Sequence, residues 1–151
     1  MKIQSLETYQ NEIITAVRNE SDIVFVSYSA LEKTEEKIKF ALAKILEKHN
    51  RIDLFTPIFS CIKELISNAT KANAKKILME EGVIKNPDDS EEVVRKVRSI
   101  LNEKSLLEYG IKAKQHKMST RIYLKVYKKH LFIEVINNIP LNKRDMAKVN
   151  D

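Results

Sequence analysis

RIYLKVYKKHLFIEVIN, residues 121–137, is the stretch on which the fold turns. Apolar and polar residues alternate here with a period of two. Ile122, Leu124 and Val126 point one way, and Arg121, Tyr123, Lys125 and Tyr127 the other. KKH then turns the chain and LFIEVIN runs back, which predicts a β-hairpin with one face toward a core.

Everything before the hairpin except one segment reads as helix. LETYQNEIITAVRN sets Leu6, Tyr9, Ile13, Ile14 and Val17 at helical spacing. DIVFVSYS, residues 22–29, is short and rich in β-branched and aromatic residues, and predicts a strand. A second helix is expected from about Thr34, with Glu35 and Glu36 matched to the helix dipole and Ile38, Ala41, Leu42, Ile45 and Leu46 as its stripe. A third should begin with Pro57 in its first turn and run to about Glu81, where Gly82 stops it. NPDDSEEVVRKVRSIL predicts a turn and a helix capped by Ser90, with Val93, Val94, Val97, Ile100 and Leu101 facing a core. A short helix over KSLLEYG follows. The order helix, strand, helix, helix, helical insert (83–117), strand, strand predicts an α+β fold. It is a two-layer sandwich with helices on one face of a mostly antiparallel sheet.

The 151 residues suit a single domain with one core. No apolar run approaches the roughly 20 residues that span a bilayer. MKIQSLETYQ lacks the apolar centre of a secretory signal, so a cytoplasmic location is expected. The lone Cys61 falls among apolar residues and reads as a buried thiol. Two glycines, Gly82 and Gly110, are too few for any glycine-rich phosphate loop. Residues 101–151 hold eleven basic and five acidic side chains, whereas residues 1–50 hold seven and eight, so the net charge of +6 belongs to the last third. Such an excess suits phosphates, or serves solubility alone.

On the third helix, in KELISNATKANAKK (63–76), Glu64, Asn68, Lys71 and Lys75 share one face, with Ile58, Ile62, Leu65 and Ala69 roughly opposite. Any amphipathic helix has such a polar face. The order of residue types says more. ELISNATKANAKKI resembles the N-box of the GHKL ATPases, the group of histidine kinases and MutL-type repair ATPases. The resemblance spans about residues 22–150 and is firm at 63–77. It implies an α/β sandwich with ATP beside this helix. By position Glu64 corresponds to the catalytic carboxylate that polarises the attacking group. Asn68 corresponds to the amide that ligates Mg²⁺, and Lys71 to a phosphate contact. The types suit the chemistry: a carboxylate can take a proton, and an amide oxygen is a hard ligand for Mg²⁺.

In that family the following strand ends in an aspartate that binds the adenine amino group, then two glycines that admit the base. The corresponding end here is IEVINNIPL, which puts Asn137 in the aspartate's place and Ile139 and Leu141 in those of the glycines. The glycine-rich lid over ATP has no counterpart. Either the domain continues past Asp151, or the fold persists with altered nucleotide binding, and NNIPL requires the second at that box. The resemblance therefore implies a regulatory domain with Mg-ATP as ligand, bound weakly or no longer. It would be an ATPase or kinase only when completed by a lid, and a regulatory protein partner is expected.

Other constellations point less far. His49, His116 and His130 lie in separate segments without metal-ligand spacing, and EKHNR lacks the pattern of a phosphoacceptor histidine. Two rival classes remain: a non-catalytic protein-interaction domain in signalling, and a nucleic-acid-binding module using Arg121, Tyr123, Lys125 and Tyr127, with Lys128 and Lys129 beyond, since aromatics between cations stack bases and pair phosphates. No RNA-binding glycine–aromatic motif accompanies them.

Overall fold

The computed structural model describes residues 6–28, 31–102 and 104–137. Three antiparallel strands, β1 (Ile23–Ser27), β2 (Thr120–Tyr127) and β3 (His130–Asn137), form a sheet in that order. Five helices accompany it among the described residues: α1 (Leu6–Arg18), α2 (Leu31–Lys48), α3 (Phe55–Glu80), α4 (Ser90–Leu101) and α5 (Leu106–Gln115). The fold is α+β, as the change of period predicts. No helix is long and apolar enough to cross a membrane among the described residues.

The strands alternate as read. Ile23, Phe25, Ile122 and Leu124 are buried beneath the helices, while Val24, Val26, Arg121 and Tyr127 face outward. Two apolar clusters result. The first joins the sheet to α1, α2 and the front half of α3, through Ile13, Ile38, Leu42, Ile45, Phe59, Ile62 and Ile66. The second joins the rear half of α3 to α4 and α5, through Ala74, Ile77, Leu78, Val97, Tyr109 and Ala113. Each fully buried aliphatic side chain contributes roughly 1.5–3 kcal/mol. Burial without a compensating charge pushes the Tyr109 phenol up to about 12, which keeps it neutral.

Several local expectations need correction. The cap of α4 is Asp89, which accepts from the Glu92 N–H, rather than Ser90. Helix α2 starts three residues before Thr34, because Leu31, Glu32 and Lys33 are themselves good helix formers. Gly110 does not end α5, because Tyr109 and Ala113 on either side of it are held in the second cluster. Leu65 and Val94 are 43% and 48% exposed, outside both clusters, and Cys61 is exposed instead of buried. Tyr28 is a bend after β1, and Ser29 lies outside the described residues.

The hairpin is tighter than KKH suggests, since Tyr127 pairs with His130. The two residues between, Lys128 and Lys129, take φ of 49° and 65°. Paired positive φ is the type I′ geometry, which favours Asn-Gly and costs a lysine roughly 1 kcal/mol or more. The double substitution Lys128→Asn with Lys129→Gly should therefore raise stability by about 1 kcal/mol, read as a higher urea midpoint.

At the end of α3 the Lys112 ammonium donates to Glu81 Oε1 at 2.9 Å, and His116 Nε2 lies 3.3 Å from Oε2. The Lys112 hydrogen bond, with help from His116, holds the Glu81 carboxyl below its ordinary 4.5. A lowered folded value stabilises above that ordinary value and is lost as pH falls through the folded one. Glu81→Gln should cost up to ~1 kcal/mol at neutral pH. The gap to the parent should close on acidification below 4.5, as followed by urea unfolding across pH.

Candidate functional site

Helix α3 has a dry side and a wet side. Phe59, Ile62, Ile66, Ala69, Thr70, Asn73, Ala74, Ile77 and Leu78 are buried. Glu64, Asn68 and Lys71 are exposed on the opposite stripe, where spacings of four and three residues set them one above another. Among the described residues none of the three makes a side-chain hydrogen bond or ion pair. A cleft of about 330 Å³ runs beside this stripe, between α3 and the α4–α5 junction. Lys63, Ser67, Thr70 and Lys71, with Glu35 of α2, form its polar wall and Ile66, Leu101 and Leu106 its apolar one; Glu64, Asn68 and Asn137 are not in the lining.

Asn137 sits at the end of β3 on the helix-facing side of the sheet, half-buried. It belongs to a row of polar side chains, because Ser27, Thr120 and Asn137 are in register across the three strands. Over that row lies Asn73 of α3, 1% exposed. Asn73 Nδ2 donates to Thr120 Oγ1 at 3.2 Å and to the Ser119 carbonyl at 3.5 Å, and the Thr120 hydroxyl donates to Asn137 Oδ1 at 3.4 Å. The bridge Asn73–Thr120–Asn137 therefore fastens the end of β3 beneath α3, two positions along from Lys71. Asn73 Oδ1 is buried without a hydrogen-bond partner among the described residues. Ile139 and Leu141, read in place of the family's glycines, lie outside the described residues.

Asn73, Ser119 and Thr120 are not site candidates in the sequence reading, yet Asn73 carries a signal. It falls four, seven and eleven residues after Ala69, Ile66 and Ile62, so an amide occupies the apolar stripe. A buried amide is retained only where its bonds are met, as here on the donor side.

No group of three or more His, Cys, Asp and Glu side chains gathers as a metal site among the described residues. An Mg²⁺ held by one amide and by phosphates needs no such group. On the other sheet face, Arg121, Tyr123, Lys125 and Tyr127 form one outward stripe, as the alternation predicts. Two of its cations are engaged: Lys125 pairs with Glu134 at 3.3 Å and lies over the Tyr123 ring, and Lys128 lies over Tyr127. Comparison with family models, with curated proteins and with solved structures finds no match to this chain.

Replacing Asn73 by Asp isolates the buried bridge. The new carboxyl would lose the donors that Thr120 and Ser119 use, and burial would raise its folded pKa above the ordinary ~3.9. A raised carboxyl destabilises above its folded pKa, and the penalty fades as pH falls toward the unfolded value. Asn73→Asp should cost about 3 kcal/mol at neutral pH and recover most of it near pH 4, measured as urea midpoints against the parent.

Proposed function

We propose that this chain is a nucleotide-binding regulatory domain of the GHKL type, in which affinity for Mg-ATP is weak or lost. The observation that carries the reading is the order of residue types in ELISNATKANAKKI, with Glu64, Asn68 and Lys71 together on the exposed face of α3, while the Asn73–Thr120–Asn137 bridge holds the end of β3 under the opposite, buried face. Support also comes from the stripe of Glu64, Asn68 and Lys71, whose polar atoms are free for a ligand.

The donor set fits on the phosphate side and is weakened on the base side. Asn68 offers a hard oxygen for Mg²⁺, which would neutralise phosphate charge, and Lys71 offers a cation for the phosphate itself. Asn137 Oδ1 already accepts the Thr120 hydroxyl, leaving one lone pair for an adenine amino group. A neutral amide makes a weaker bond there than a carboxylate does. Glu64 would polarise an attacking group, but it stands in water, where preorganised electrostatics count for little. Binding, rather than turnover, is the assigned role, with a regulatory protein as the natural recipient of the signal.

Calorimetry with Mg-ATP tests this. The parent should bind more weakly than micromolar, and Asn68→Ala should remove any Mg²⁺-dependent response. Asn137→Asp should tighten binding about tenfold, because it restores a charge-assisted hydrogen bond. Tight binding indifferent to both substitutions would overturn the placement of the site. No gain from Asn137→Asp would overturn the nucleotide reading. The same titrations with single-stranded RNA address the outward stripe of β2. Salt-sensitive affinity lost on Tyr123→Ala and untouched by Asn68→Ala would make the sheet face the functional surface instead.

A further inference from the structure

Among the described residues β1 is an edge strand. Among these it pairs with β2 alone, so the N–H and C=O groups on its other side have no ladder partner. Rows of this kind are templates for another strand, and proteins usually blunt them with charge, proline or a bulge. IVFVS has no charged residue, proline or glycine. The opposite edge, β3, carries Glu134 and His130.

Along the open edge lies a groove of about 360 Å³. Tyr9, Glu12, Ile13 and Ala16 of α1 and Thr34 of α2 wall it from the helix side, and Ile23–Val26 form its strand side. Val24 and Val26, 46% and 52% exposed, stand on the outer side of the edge. Asp22 precedes the strand at one end. Lys37 lies in the early turns of α2, which follows the strand's other end, and its ammonium is 5.4 Å from the Tyr9 ring centroid.

We propose that this groove is a strand-addition site for an extended peptide of a partner protein, apolar at alternate positions and cationic at the end beside Asp22. The occupant follows from the chemistry of the walls. Unpaired backbone selects an extended strand, and period-two side chains would bring every second residue onto Tyr9, Ile13 and Ala16. The intervening residues would flank Val24 and Val26, where β-branched pairs pack well. The acidic terminus at Asp22 supplies the charge match. A second copy fits less well, since it would bring its own α1 to the same edge, whereas a lone strand carries no helix with it. The proposal does not depend on nucleotide binding.

The test is an NMR titration of the full chain with end-capped seven-residue peptides of alternating valine and threonine that carry one lysine, at the N-terminus in one and at the C-terminus in the other. Saturable amide shifts should appear at 23–26 and along α1, and stay absent from Tyr127, His130 and Phe132, which have no partner in β1. Two N-methylated peptides, one modified on the valines and one on the threonines, keep the side chains but each strip the N–H groups from one edge. One should bind as before and the other about tenfold or more weakly, because backbone bonds are lost on one side only. Ala16→Phe, which fills the groove, should abolish the response while the other resonances hold. If that variant fails to fold, the methylated pair still decides. Equal binding of the two methylated peptides, shifts confined to the outer sheet face, or no saturation at several millimolar would each overturn the proposal. So would sedimentation showing a dimer whose β1 amides are already protected from exchange, since a second copy would then hold the edge.

Discussion

The structure depends on a single helix serving two cores. α3 is 26 residues long, on the order of 40 Å at the usual rise. Its front half closes the sheet layer and its rear half receives α4 and α5. Where the two halves meet, Asn73 fastens the helix to the start of β2. It acts with the sheet's buried face, since a one-residue slip of β2 would turn Ile122 and Leu124 outward. The buried amide thus ties α3 to the start of β2 at the seam between the two apolar clusters. Its unmet oxygen is a cost borne at that seam.

What was legible in the sequence follows the range of the forces involved. Period-two alternation is local, so the hairpin and its inward set Ile122, Leu124 and Val126 could be read directly. A helical stripe is local too, but its edges are decided by neighbours. Leu65 lies at the margin of the buried stripe of α3, and Val94 at that of α4, and both stay outside the two clusters. The short helix read over KSLLEYG runs on past Gly110 to Gln115, because Tyr109 and Ala113 are held in the second cluster. The candidate site shows the same division. That Glu64, Asn68 and Lys71 share a face is a property of one helix. That Asn137 is tied to α3 through Thr120 is a property of three elements, and only the odd amide in an apolar stripe hints at it.

The faces left uncovered differ in kind. The outer stripe of α3 is polar and Glu64, Asn68 and Lys71 are unpaired among the described residues, whereas on the outer sheet face Lys125 and Lys128 are held by Glu134 and by tyrosine rings. A surface that satisfies itself must break those contacts before it can bind anything else, and one that does not starts without that cost. The edge of β1 is a third kind, where the unmet groups belong to the backbone and the sequence of an occupant matters less than its extended shape.

The division of α3 also bears on the order in which the chain can assemble. The second core is drawn from a continuous stretch, Ala74 to Met118, whereas the sheet must bring Ile23 beside Leu124. Closing the longer loop costs more entropy and slows the contacts that depend on it. The rear half of α3 with α4 and α5 can therefore consolidate first and present a preformed helix, leaving β1 exposed until the hairpin docks. A nascent chain would spend that interval with IVFVS open on both edges, which makes β1 the segment most prone to mispairing before the native sheet closes.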